Sequence, residues 1–151
     1  MDETGIQVEL NELRLTLGYD LLALALVEPA EHHYVIKWKF LSGNLGERIR
    51  KVVLQSGRGV PGIVFKTGKP FLISSVPDLI LAEDLFQYPI IKLEELTSLV
   101  AVPVWHEGRV EGILLGAYRD ERRVDERSLA ELQERVRFGL MDLNGKEMMP
   151  N

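Results

Sequence analysis

An α+β fold with an antiparallel sheet of about six strands is predicted by three observations. Short apolar segments of strand length recur along the chain, neighbouring segments are joined by hairpin-type links, and an amphipathic helix stands near each end. The terminal helices are expected on one face of the sheet. Short helices and loops in the middle of the chain then roof a ligand pocket on the other face. One domain over residues 1–151 fits this length, with a core from about 17 to 138 and a frayed polar tail from 144 to 151.

Each element has its own signal. Thr4-Gly5-Ile6-Gln7 has the form of a capping box, and Ile6, Leu10, Leu13 and Leu17 follow at helical spacing up to a stop at Gly18. Asp20 to Glu28 is almost wholly apolar and reads as a strand. Tyr34 to Leu41 alternates, with Tyr34, Ile36, Trp38 and Phe40 on one face and Lys37 and Lys39 on the other. Arg48 to Gln55 reads as a third strand. After Ser56-Gly57-Arg58-Gly59, proline at Pro61 and glycine at Gly68 bracket a short helix. Phe71 to Val76 is a fourth strand, and Pro77 to Leu96 is mixed, with helical spacing in Leu79, Leu81 and Leu85 and a second helix start at Tyr88-Pro89-Ile90. Ser98–Trp105 and Val110–Tyr118 flank a polar, glycine-containing turn and form a hairpin. Asp125 caps a last helix whose stripe is Leu129, Leu132, Val136 and Leu140.

Composition narrows the chemistry. With no cysteine, the chain has no disulfide scaffold, thiol nucleophile, thiolate zinc site or iron–sulfur cluster. A net charge of −5 argues against nucleic acid as a partner, because neutralising phosphate needs a basic face. The first ten residues hold three acids and no base, the wrong sign for a signal peptide, and the longest apolar run, Leu21 to Val27, is too short for a bilayer. A cytoplasmic, membrane-free protein is expected. His32, His33 and His106 lie in turns without metal-spaced partners, so neither a catalytic triad nor a metal site is expected, and the chain is read as a non-enzyme without a cofactor.

The string Gly57-Arg58-Gly59-Val60-Pro61-Gly62-Ile63-Val64-Phe65-Lys66-Thr67-Gly68-Lys69-Pro70, followed by Leu99-Val100-Ala101-Val102-Pro103-Val104 and Gly112-Ile113-Leu114, resembles the small-molecule-sensing GAF domain. Trp38 together with Tyr88-Pro89-Ile90 is similar to the nitrate-receptor branch of that family, which acts with a sensor histidine kinase. That resemblance implies a closed nitrate pocket at Trp38, Val60, Pro61, Tyr88, Pro89 and Ile90. Pro61 departs from the pattern in lacking an N–H.

The residues themselves suit such a ligand. Nitrate is planar and weakly hydrated, and helix N-termini offer unpaired amides with a favourable dipole and no need of a cation. Two proline-marked helix starts place Gly62 and Ile63, and Ile90 and Ile91, as candidate amide donors, and the indole of Trp38 adds a donor that carries no lone pair. Each feature also has a plainer use: Trp38 as core packing, the prolines as ordinary helix starts, and Gly57 and Gly59 as turn residues. Missing cysteine removes the redox and covalent bilin branches of the family. Binding of another small molecule, such as an amino acid or nucleotide, and a ligand-free interaction module both stay open. The terminal helices are compatible with a homodimer.

Overall fold

The computed structural model describes residues 3–137 as five α-helices and six strands. Leu140 and the tail from 144 to 151 lie outside the described residues. Helix α1 (Glu3–Leu17) leads through Gly18, in the left-handed region at φ 80°, into β1 (Leu21–Pro29) and β2 (Tyr34–Ser42). A two-residue β3 (Val53–Leu54) precedes α2 (Gly59–Thr67) and β4 (Phe71–Ile73). The middle segment holds α3 (Val76–Leu79), a 3-10 turn at Ala82–Gln87, and α4 (Pro89–Leu93). The hairpin β5 (Ser98–His106) and β6 (Arg109–Tyr118) is followed by α5 (Glu126–Arg137). None of the helices among these residues is long and apolar enough to cross a membrane.

The sheet is antiparallel, in the order β3-β2-β1-β6-β5-β4. Its two faces carry separate cores. Ile6, Leu10 and Leu13 of α1 and Leu132 and Val136 of α5 pack on Leu22, Leu24, Val102 and Leu114. On the opposite face, Val60 and Val64 of α2 and Ile90 and Ile91 of α4 pack with Leu21, Ala23, Ala25, Leu99 and Ile113. This is the predicted layering, with terminal helices on one side and the middle segment on the other.

Five local expectations change, the shortest being that the fourth strand ends at Ile73 because Ser75 caps α3, which opens at Val76. The capping box at Thr4 does not form, because the helix already includes Glu3; the Gln7 amide instead donates to the Leu41 carbonyl (2.8 Å), tying α1 to β2. Phe40 does not share a face with Trp38. Leu24 pairs with Phe40 but Ala25 with Trp38, so Lys39 is an extra residue in the ladder, and this bulge sends Trp38 to the pocket face and Phe40 to the helix face. Arg48–Lys51 is a 3-10 turn and not part of a strand, since only Ile49 is buried there. Its Arg50 guanidinium donates to the Lys39 carbonyl (2.8 Å) at the bulge. Finally, Leu79 and Leu81 are exposed; their spacing mimics a helix stripe, but the chain turns from α3 into the 3-10 turn before a stripe can form.

Capping at the last helix follows the sequence. The Ser128 hydroxyl accepts from the Asp125 amide (3.1 Å), while the Asp125 carboxylate accepts from the Ser128 amide (2.9 Å) and from the Ser128 hydroxyl (3.1 Å), and these two bonds hold the Asp125 carboxyl below its usual pKa.

Position on α1 decides the cost of truncation. Leu10 is fully buried against the sheet, so Leu10→Ala is expected to lower the unfolding free energy by about 2–5 kcal/mol. Leu15 is 71% exposed, and Leu15→Ala is expected to stay within about 0.5 kcal/mol of the parent in urea denaturation.

Candidate functional site

Two helix starts and one strand meet on the pocket face. The bulge at Lys39 turns Trp38 inward until only 1% of it is exposed, beside the cluster that contains Val60, Ile90 and Ile91. Tyr88 is half-buried against the same cluster, its ring 6.2 Å from that of Phe71. Of the side-chain polar atoms among the described residues, the Trp38 indole nitrogen is the one that is buried with no hydrogen-bond partner. A buried N–H left unpaired costs about 1–3 kcal/mol, and buried polar groups are almost always paired. Trp38 therefore presents a donor without an acceptor, in an apolar setting.

The start of α2 is built by a glycine turn. The Gly57 amide donates to the Gly62 carbonyl (2.8 Å) and the Arg58 amide to the Gln55 carbonyl (2.9 Å), with Gly57 and Gly59 at φ 83° and 65°, where a side chain is disfavoured. Gly62 donates its own amide to the Arg58 carbonyl (3.1 Å), so it is not the free donor that its position after Pro61 suggested. Its lack of a side chain serves close packing, since a Cβ there would collide with the Gln55 carbonyl oxygen. Ile91 is likewise engaged, donating to the Tyr88 carbonyl (3.0 Å). Ile63 lies beyond the first turn of α2, where an amide is spent on the helix's own carbonyls, so of the expected donors the Ile90 amide is left. The first-turn amide of Val60, not among those donors, joins it, because N–H groups that open a helix have no intrahelical acceptor. Pro61 and Pro89 contribute no amide; both sit within the first turn of their helices, and Pro61 is buried.

Outside this layer, a cleft of about 530 Å³ runs between the two helix starts, lined by Leu54, Gly57, Arg58, Gly59, Tyr88 and Pro89 among others. Leu54 was hidden from the sequence by its assignment to a long third strand. In the structure, pairing of Leu54 with Ile36 is what places it at the cleft.

The roof is anchored at its far end. The Glu94 carboxylate, only 2% exposed, accepts from the Leu45 amide (2.8 Å) and from the Arg119 guanidinium (2.6 Å). Arg119 also donates to the carbonyls of Glu94 (2.7 Å) and Asp20 (3.3 Å), so the end of α4 is tied to the start of β1 and the end of β6. Among the described residues, Glu94 is the one buried carboxylate, and no lysine or arginine is buried. Among the described residues, no group of three or more histidine, aspartate or glutamate side chains is arranged to hold a metal ion.

Close packing at the helix start gives a stability test independent of any ligand. Gly62→Ala is expected to cost at least about 1–3 kcal/mol, through overpacking against the Gln55 carbonyl. In thermal unfolding this is a fall of several degrees, at about 2–4 °C per kcal/mol for a chain of this size.

Comparison with known proteins agrees with this architecture. The family model of the GAF domain matches residues 7–136. A hypothetical protein from S. aureus is 39% identical over 78% of this chain and 94% of its own, with a TM-score of 0.74. A structure of the NreA protein from Staphylococcus aureus, mutated in its nitrate binding site, is 34% identical over 88% of this chain and 99% of its own, with a TM-score of 0.79. A free methionine-R-sulfoxide reductase from Thermoplasma acidophilum shares the fold alone, at 16% identity over 88% of this chain and 85% of its own and a TM-score of 0.66. Comparison with curated proteins gives no match. The family model spans most of the described residues, and the six antiparallel strands with their two-faced layering are what the sequence predicted: the chain belongs to the GAF domain family.

Proposed function

We propose that this chain is a cytoplasmic nitrate receptor that changes the activity of a sensor histidine kinase and catalyses no reaction itself. The observation that carries the reading is the buried, unpartnered indole N–H of Trp38. One oxygen of nitrate would accept from Trp38, and the others from the first-turn amides of Val60 and Ile90. Pro61, Gly62, Tyr88, Pro89 and Ile91 would form the walls. The likeness to NreA, a protein described by its nitrate binding site, supports the same ligand.

Neutral donors suit this anion in particular. A charge spread over three oxygens leaves water at modest cost, whereas a strongly hydrated dianion such as phosphate loses more solvation than amides return. The net charge of −5 sets a field that repels anions at long range, but that field is screened beyond about 8 Å at physiological salt. Recognition then rests on local dipoles at the two helix starts. Signalling requires that the kinase distinguish the occupied from the empty form of the roof, since a ligand shifts an equilibrium only by its difference in affinity for two states.

Thermal unfolding against nitrate, nitrite, chloride, phosphate, amino acids and cyclic nucleotides tests the ligand. Nitrate at 100 times its dissociation constant should add about 2.7 kcal/mol, which corresponds to roughly 5–10 °C. A flat response to nitrate at millimolar concentration, or a larger shift with another member of the panel, would remove the reading.

Trp38→Phe tests the donor. It deletes the N–H yet keeps an aromatic wall, and nitrate affinity in calorimetry is expected to fall about 10–100-fold, the worth of a hydrogen bond to a charged group. The melting temperature without nitrate should stay near that of the parent, because loss of ring packing is offset by removal of a desolvated donor. Unchanged nitrate affinity would make Trp38 a packing residue only.

A further inference from the structure

The segment between Leu79 and Phe86 presents an apolar surface that the fold does not use. Its inward positions are already filled, with Ile80 and Leu85 packed against the pocket-side core. Its backbone is held, by Ile80 N–H to the Val76 carbonyl (2.9 Å), Asp84 N–H to the Leu81 carbonyl (2.9 Å) and Tyr88 N–H to the Leu85 carbonyl (2.9 Å). Leu79, Leu81 and Phe86 nevertheless stand 63%, 64% and 68% exposed. Single exposed leucines need no explanation, but three large apolar side chains exposed within eight residues are more than scattered singles and offer a candidate interaction surface.

Charge gives the chemistry of the partner. From Pro70 to Ile91 the chain carries Asp78, Glu83 and Asp84 and no lysine, arginine or histidine. Asp78 is engaged by Arg123 (3.2 Å), while Glu83 and Asp84 form no ion pair among the described residues. Two free carboxylates among exposed apolar side chains match a protein surface with an apolar seat rimmed by lysine or arginine.

We propose that Leu79, Leu81, Glu83, Asp84 and Phe86 form the docking surface for the partner protein, and that the partner presents an apolar patch with a basic rim. The proposal rests on the receptor reading for the partner's class, a sensor histidine kinase. The same stretch runs without a break into Tyr88, Pro89 and Ile90, so a partner seated on it contacts the roof of the ligand site directly. A ligand that repositions the roof then changes what the partner meets, with no longer path required.

The test uses the full chain and its cognate sensor kinase in calorimetry, with nitrate-induced thermal shifts measured on the same samples. Leu81→Ser and Glu83→Lys are expected to weaken kinase binding about tenfold or more each, while the nitrate shift stays as in the parent. The parent's affinity for the kinase should fall as salt is raised, and Glu83→Lys with Asp84→Lys should flatten that dependence. Kinase affinity unchanged in these variants, with the nitrate shift intact, overturns the docking surface and leaves the receptor reading standing. Loss of kinase binding in variants of a chain that shows no nitrate shift supports the surface and removes nitrate as its signal. Sedimentation in which Leu81→Ser converts a dimer to a monomer without touching kinase affinity assigns the patch to a second copy of this chain and overturns the proposal.

Discussion

The constraint on which the rest of the structure depends is that the central strands are buried on both faces. Leu21 to Ala25 of β1 are all fully inaccessible, with Leu21, Ala23 and Ala25 turned toward the pocket side and Leu22 and Leu24 toward the terminal helices. In such a sheet, parity along the strand alone decides which layer a side chain enters, and a slip of one residue exchanges the layers. The bulge at Lys39 uses this rule. One extra residue reverses the parity of β2 between Trp38 and Phe40, so a large aromatic reaches each core. The ladder is disturbed at that point, and Arg50 supplies a donor to the Lys39 carbonyl from a turn that is held against the sheet by the buried Ile49.

The second organising contact is ionic. A nearly dry Glu94 pairs with a partly exposed Arg119, and buried carboxylates are costly to desolvate, so such pairs gain their worth from geometry more than from net stability. Here the geometry is specific: three backbone groups, the Leu45 amide and the carbonyls of Glu94 and Asp20, are satisfied by the two side chains. The end of α4 is thereby fixed to the sheet, while its beginning, at Tyr88 and Pro89, borders the cleft.

Much of the fold was legible because its signals are local and repeated. The polar, glycine-containing turn of the hairpin, Gly68 after α2 and Asp125 before α5 each carry their structural meaning within a few residues. What was not legible depended on long-range events. Nothing near Lys39 announces a bulge, since the alternation of Tyr34, Ile36, Trp38 and Phe40 is unbroken and only pairing with Leu24 and Ala25 reveals the extra residue. Arg48 to Gln55 alternates like a strand, yet its burial need is met by Ile49 alone. At the candidate site, Trp38 and the two helix starts were visible as residue types, and the structure gathers them on one face. Which amides are spent was not visible: Gly62 and Ile91 look like free donors in the sequence and are bound to Arg58 and Tyr88 in the fold. Hydrogen-bond accounting of that kind needs coordinates, because an N–H one or two residues into a helix is free or engaged according to how the preceding turn closes.

The depth at which Trp38 lies has a kinetic consequence. Trp38, Val60 and Ile90 are each buried to within 1% of complete inaccessibility, so no open channel leads to the indole nitrogen. Any molecule that reaches it must wait for the roof to part, and the observed association rate is then capped by a unimolecular opening step, on the microsecond to millisecond scale of loop and helix motions. Residence is governed by the same gate in reverse. For the receptor reading proposed above, such a gate filters in time: brief excursions in ligand concentration would pass unrecorded, and only levels that persist longer than the gating interval would be reported.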